Sequence, residues 1–385
     1  MKNRYRHSLS AKDRLLRLDP WILGLVAGLL VFGLIILMSA TGPVAFQRTQ
    51  DSLYYVKHQM LAGILPGLFL FAIFAVIDYR FLKKLAPFFL FTTFVLLFSV
   101  YLPGVSVAVS GARSWISLGP IQFQPSEFVK LTFIIYLAAW LSARVEGKAH
   151  DIQEGLIPFF GVLGAVSLLL IIQPDTGTMA VVAGTAMIMY LASGAPLSIF
   201  AGLVAFGVSV IAFIVKTSPY RAARFMTFLH PELDPQGIGY HINQAILAIG
   251  SGGIFGLGYG NSRQKYLYLP EVEADSIFAV MAEELGFVMT VLFLAAFAVL
   301  VWRCFKIALE SKDPFGSYLA VGVGAWLGIQ GLMNIMSMTG LMPMTGVTLP
   351  FISHGGTSMA VMLAAMGLVA GIPRHGGHSV GIGKK

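Results

Sequence analysis

One aspartate, Asp275, stands where a long polar connection gives way to an apolar helix, in the run YLYLPEVEADSIFAVMAEELG. A carboxylate at such a boundary can take a proton from an incoming hydroxyl, or can simply cap the helix that follows. Spacing alone fits both. The polar connections around it carry cations: Arg113 in SGARSWISLGP, Arg221 and Arg224 in YRAAR, Arg263 and Lys265 in NSRQK. Three-residue spacing aligns Arg221 and Arg224 if their segment is helical. Guanidinium forks suit phosphate, so a phosphate-bearing ligand is the economical reading of the set. Solvated charge is the plain alternative for any one of them.

A second group lies inside apolar runs. Glu127 and Lys130 in QPSEFVK share a helix face and can pair, and Glu283 and Glu284 lie about 12 Å along the helix from Asp275. Charges in apolar spans face the protein interior and mark functional sites, although a buried pair also fixes packing register. QPDTGT leaves Asp175 between two runs. MPMTGVTLPFISHGGTS is interrupted by Pro343, Gly346, Pro350 and Gly355-Gly356, with Ser353 and His354 at its mouth. Neither His241 nor His354 has the neighbours in sequence that a zinc site needs.

The elements that must position these groups follow from composition. The chain has 385 residues, 57% hydrophobic and only 11% charged, with a mean hydropathy of +0.79. So few charges cannot cover a water-facing surface of this size, which makes the chain an all-α polytopic membrane protein. The single Cys304 excludes an internal disulfide and a multi-cysteine metal site. The net charge of +8 lies in short loops, so it reports topology rather than a nucleic-acid partner.

Apolar runs predict ten transmembrane helices near 21–42, 59–77, 85–103, 124–142, 156–173, 177–194, 196–216, 276–303, 316–341 and 349–371. Of the 26 Lys and Arg, 17 fall on the side that holds both termini and 8 on the side of the 217–275 loop. That bias places both termini in the cytoplasm and the loop outside. A basic lead-in (1–20) thus precedes one membrane domain (21–373) and a glycine-rich cytoplasmic tail (374–385). The loop between helices 7 and 8 has too many aromatic and aliphatic residues to be a disordered linker and is expected to be partly helical. Its GSGGIFGLGYG lacks the strand and GK[ST] of a nucleotide loop, and dense glycine there permits a re-entrant turn with close backbone approach.

GARSWISLGP, QPSEFVK, QPDTGT, GIGYHINQAILAIGSGGIFGLGYGNSRQKYLYLPE, DSIFAVMAEELG and the stretch from Asn334 to SHGGTS occur in an order that resembles the SEDS family (shape, elongation, division and sporulation). The resemblance runs from Asp19 to about Arg374, and the loop wording is nearer the FtsW branch than the RodA branch. It implies an inverting glycosyltransferase that polymerises lipid II into glycan strands beside a class B penicillin-binding protein and other divisome proteins. The implied place is the bacterial cytoplasmic membrane, among its lipids. The family's essential aspartate matches Asp275. Substrate-binding candidates are Arg113, Glu127, Lys130, Arg221, Arg224, His241, Gln244, Lys265, Ser353 and His354. A divalent cation such as Mg or Mn at Asp275 is a candidate cofactor, although no ligand cluster stands in the sequence. Glu273, Ala274 and Ser276 depart from the family's usual HTDF, and His354 from its usual SYGG. A lipid flippase is the competing expectation, resting on the intramembrane charges, and a non-catalytic scaffold is a third.

Overall fold

The computed structural model describes residues 18–102, 106–109, 112–119, 121–144, 151–198, 219–230, 234 and 237–375, with isolated positions between 201 and 216. Its helices are α1 (Pro20–Thr49), α2 (Tyr54–Val76), α3 (Ala86–Ser99), α4 (Pro125–Ser142), α5 (Ile152–Ile172) and α6 (Thr176–Ala192). The polar connection holds α7 (Pro219–Leu229) and α8 (Ile238–Ser251), and α9 (Ile277–Glu310), α10 (Pro314–Met338) and α11 (Gly356–His375) complete the bundle. Nine of the ten expected spans are therefore helices, and the seventh, 196–216, lies largely outside the described residues. Six of the nine are long and apolar enough to cross a bilayer, α3 and α6 are shorter, and α4 carries the charged Glu127 and Lys130.

Burial is distributed as a membrane solvent requires. In α11 and α10 the apolar stretch is 89% and 72% buried, against 28% for α2, α5 and α9. The first pair forms the core, while the others turn apolar faces outward, which is stable only in lipid.

Two elements differ from expectation. Residues 106–123 were expected as loop in an all-α chain, but they form an antiparallel sheet, β1 (Ser106–Val109), β2 (Ala112–Leu118) and β3 (Ile121–Phe123), in the order β1-β2-β3. Gly119 turns β2 into β3 at a φ of 64°. The last span starts at Gly356 instead of 349, because Pro350 and Gly355 leave 349–355 as a non-helical strap.

Ion pairs and backbone contacts sort the ends of the bundle. Asp19 accepts from Ile22 N at the start of α1 and pairs with Arg303, its own N–H donates to Ala370 O, and Arg80 faces Asp313. Both ends of the described chain thus lie at one end of the bundle. At the other end, the 49–59 turn, residues 273–276 and the strap come together.

From this second end the chain after α8 dips back into the bundle. Helix α9 is broken at Gly286 (φ 72°, ψ −176°), and the dip fills the break. Leu257 and Gly258 donate to the Glu283 and Glu284 carbonyls, while Phe287 and Val288 donate to Gly253 and Ile254. Every backbone group freed by the kink at these positions finds a partner there, which an apolar surrounding demands. A Cβ on Gly256 or Gly286 would sit 2.1 Å from the facing backbone, so only glycine fits. The re-entrant turn expected from the glycines is present.

Candidate active site

Asp275 lies in the run of turns before α9, one residue ahead of the N-cap, Ser276, whose side chain makes no capping bond. Three successive carbonyls of this run are each held by a separate donor. His354 N donates to Glu273 O (2.8 Å), Ser353 Oγ to Ala274 O (2.6 Å) and Asn334 Nδ2 to Asp275 O (3.0 Å). Two donors come from the strap and one from α10, so the backbone carrying the carboxylate is fixed from both sides.

The carboxylate faces the segment between α10 and the strap. Its Oδ2 lies 3.7 Å from where Gly346, at a φ of 70°, would carry a Cβ. Across this segment, Gly177 packs on Thr345 O, and Asp175 caps α6 by accepting from Thr178 N (3.0 Å) and Ser126 Oγ (2.9 Å). Asn334 Nδ2 also donates to Val347 O (2.9 Å) and Gln330 Nε2 to Thr348 O (2.9 Å). The motifs QPS, QPDTGT, MTGVT and ADS therefore converge on one short polar segment.

The expected Glu127–Lys130 pair forms at 2.7 Å, buried. Lys130 also donates to Gln330 Oε1 (2.9 Å), which accepts from Trp326 Nε1 as well (2.7 Å), so α4 is wired through α10 to the polar segment. Three buried acceptors in this region, Glu127 Oε2, Asn334 Oδ1 and Thr345 Oγ1, have no hydrogen-bond partner among the described residues. Unmet acceptors are costly in the absence of a hydroxyl-bearing ligand or water.

His241, on α8, is buried and its Nε2 meets Ser276 Oγ. Ser276 spends its hydrogen on Pro270 O (2.7 Å), so the imidazole is the donor, through an Nε2–H. Burial lowers its pKa to about 4, which keeps it neutral at pH 7. It positions the residue after Asp275. Gln244 lies one turn further along α8, half-buried.

The outer-cation reading divides. Lys265 is a correction: it is buried, with its three donors spent on Glu284 Oε1 (2.8 Å), Gly260 O (2.7 Å) and Ser39 Oγ (3.1 Å). It locks the re-entrant turn to α1 and α9, and no donor remains for a phosphate. Glu283 has the same duty, accepting from Ser262 Oγ and Arg263 N. Arg113 lies in β2, and Arg221 and Arg224 in helical α7; their side chains fall outside what is described.

Sequence reasoning missed Arg48, Tyr55, Gln330 and Asn334 as site residues. Arg48 Nη1 donates to Glu273 Oε1 (2.8 Å) and Tyr55 OH (2.7 Å), which steadies the same run, yet in sequence it reads only as a loop charge. The available signal for Gln330 and Asn334 was amides four apart on one face of an apolar span. No three His, Cys, Asp or Glu side chains gather into a metal-holding group among the described residues. A protein cage for Mg or Mn does not fit here.

Multi-pass apolar helices that bring these polar motifs together at one end of the bundle define a polytopic membrane protein. The chain belongs to the FtsW/RodA/SpoVE family, described as cell cycle protein, whose model matches residues 20–378. It is 40% identical to the stage V sporulation protein E of Bacillus subtilis (90% of this chain, 94% of that protein). It is 35% identical to a probable peptidoglycan glycosyltransferase FtsW of Trichlorobacter lovleyi (93% and 94%). Among solved structures it resembles a chain from work on structural coordination of polymerization and crosslinking by a peptidoglycan synthase complex. There the TM-score is 0.78 at 28% identity, over 94% of this chain and all of that one. It also resembles the Thermus thermophilus rod shape determining protein RodA (TM-score 0.68, 27% identity, 94% and 99%).

Proposed function

We propose that this chain is a peptidoglycan glycosyltransferase that polymerises lipid II into glycan strands at the outer face of the bacterial cytoplasmic membrane, with Asp275 as its general base. The carrying observation is the triple clamp on the carbonyls of Glu273, Ala274 and Asp275. It holds one carboxylate still against a polar segment bordered by open acceptors. In the reaction the acceptor 4-hydroxyl attacks the donor's anomeric carbon while Asp275 takes its proton, and the C1–oxygen bond to the lipid pyrophosphate breaks with inversion. Arg113, Arg221 and Arg224 are the cations assigned to the pyrophosphate. Glu127 Oε2 is the acceptor open to a sugar hydroxyl. A class B penicillin-binding protein and divisome components are the proposed partners, with a role in division. Among the described residues, a divalent cation would have Asp275 and the substrate's own phosphates to hold it. Both termini are assigned to the cytoplasm by the positive-inside bias.

The flippase alternative leans on the intramembrane charges Glu127, Lys130, Glu283 and Glu284, and each of them has an internal partner. The deciding assay uses purified chain, a class B penicillin-binding protein and lipid II. Asp275→Asn should bind lipid II but make no glycan; full polymerisation by that variant would remove Asp275 from the chemistry.

A further inference from the structure

His354 and His58 stand 296 positions apart in the chain, and the fold brings His58 Nδ1 and His354 Nε2 to 3.0 Å. Both are held there. Gln59, the residue after His58, donates Nε2 to Ser353 O (3.2 Å) and accepts Gly355 N at Oε1 (2.9 Å), so it grips the backbone on either side of His354. His354 N is tied to Glu273 O, its ring meets Tyr55 edge-on at 5.0 Å, and the His58 ring stacks on Tyr54 at 6.2 Å. A π-helical turn, Gln59–Ile64, follows His58 directly; such turns recur at functional sites.

We propose that His58 and His354 form a binding site for a borderline divalent transition metal, with Zn2+ as the type case, at the end of the bundle that carries Asp275. Zinc binds imidazole nitrogen at about 2.0–2.1 Å, and two nitrogens on a tetrahedral ion lie about 3.3 Å apart. The present 3.0 Å needs to widen by only a few tenths. Each imidazole can turn a lone pair inward by carrying its hydrogen on its other nitrogen, so the exchange is a tautomer shift with no net proton lost. His58 is solvent-exposed, which gives the ion a path and leaves room for water in the remaining positions. Imidazole pairs select Zn, Cu or Ni over Mg, Mn or Ca, so this site is chemically distinct from any oxygen-held ion at Asp275. A bound ion would cross-link α2 to the strap, and through His354 N and Ser353 Oγ to the run that carries Asp275.

The test is a Zn2+ titration of the full chain in nanodiscs against a chromophoric chelator, with His58→Gln and His354→Tyr beside it. Gel filtration and the metal-free Tm report folding; His58 lies at an exposed helix end, so His58→Gln keeps the comparison open even if His354→Tyr folds poorly. The expected result is one equivalent of Zn2+ lost in each variant and a Zn2+-dependent rise in Tm seen only in the unmodified chain. Tail residues such as His375 and His378 contribute equally to all three. Equal Zn2+ stoichiometry and affinity in the unmodified chain and in folded His58→Gln would overturn the site.

Discussion

Asp275 and His241 act on the same few atoms by different means. Replacing Asp275 with Asn keeps the size but removes the proposed base, so turnover should fall by about 10²–10⁴-fold while lipid II affinity stays close to the starting value. Measured kcat and lipid II binding check this; a large loss of binding with unchanged kcat would make Asp275 a ligand instead. His241 gives a pH signature. Its folded pKa, about 4, lies below the ordinary 6.5, so between those values the unfolded chain binds more protons. Its contribution is complete above pH 6.5 and is lost as pH falls toward 4, on the order of 3 kcal/mol in all. His241→Gln should flatten that part of the stability–pH curve, and an unchanged slope would show that the acid loss arises elsewhere. Asp275 and the Glu127–Lys130 pair were legible because each stands out locally in the sequence. Lys265 was misread because its partners, Ser39 and Glu284, belong to distant segments, and nothing near NSRQK signals burial.

At the level of elements, the broken α9 and the buried pair on α4 make separate claims. Gly286→Ala must hold a side chain at a φ of 72° and a ψ of −176° with backbone 2.1 Å away, so it should destabilise by about 3 kcal/mol or more. Thermal unfolding in detergent measures it, and a neutral outcome would mean that the re-entrant turn packs elsewhere. Glu127→Ala or Lys130→Ala each strands a buried charge, an expected loss of about 3–5 kcal/mol, and a joint apolar replacement should restore folding. Single variants that fold normally yet make no glycan would assign the pair to the substrate path. Periodicity and glycine spacing made the helices and the re-entrant turn readable. The sheet escaped because ARSWISL is short and its pairing partners, SVAV and IQF, become visible only once the turns close.

For the whole molecule, orientation decides which compartment Asp275 faces. Ser52→Cys lies on an exposed turn and Lys83→Cys on the exposed face of the short helix Arg80–Lys84, at opposite ends of the bundle, and the native Cys304 is buried and should stay silent. A membrane-impermeant maleimide added to intact cells should label the first and spare the second; the reverse would put the site in the cytoplasm. Composition made the membrane class and nine of the ten expected spans legible, because lipid imposes the same apolar length on every crossing. The depth of the core was not legible. Helices α10 and α11 are less apolar than the other long spans (mean hydropathy 1.5 and 1.6 against 2.1–2.7), as helices enclosed by protein can be, yet only packing shows how completely they are enclosed.

The mended break in α9 carries one more consequence. Leu257, Gly258, Phe287 and Val288 donate across a junction that is neither helix nor regular sheet, and each of these amides is engaged by a carbonyl while the turn is seated. Amide deuterium exchange at these four positions should therefore be as slow as in the centre of α10, although irregular backbone ordinarily exchanges first. Their clocks should also run together. Lifting the turn bares all four donors at once in an apolar layer, so the turn opens as one unit.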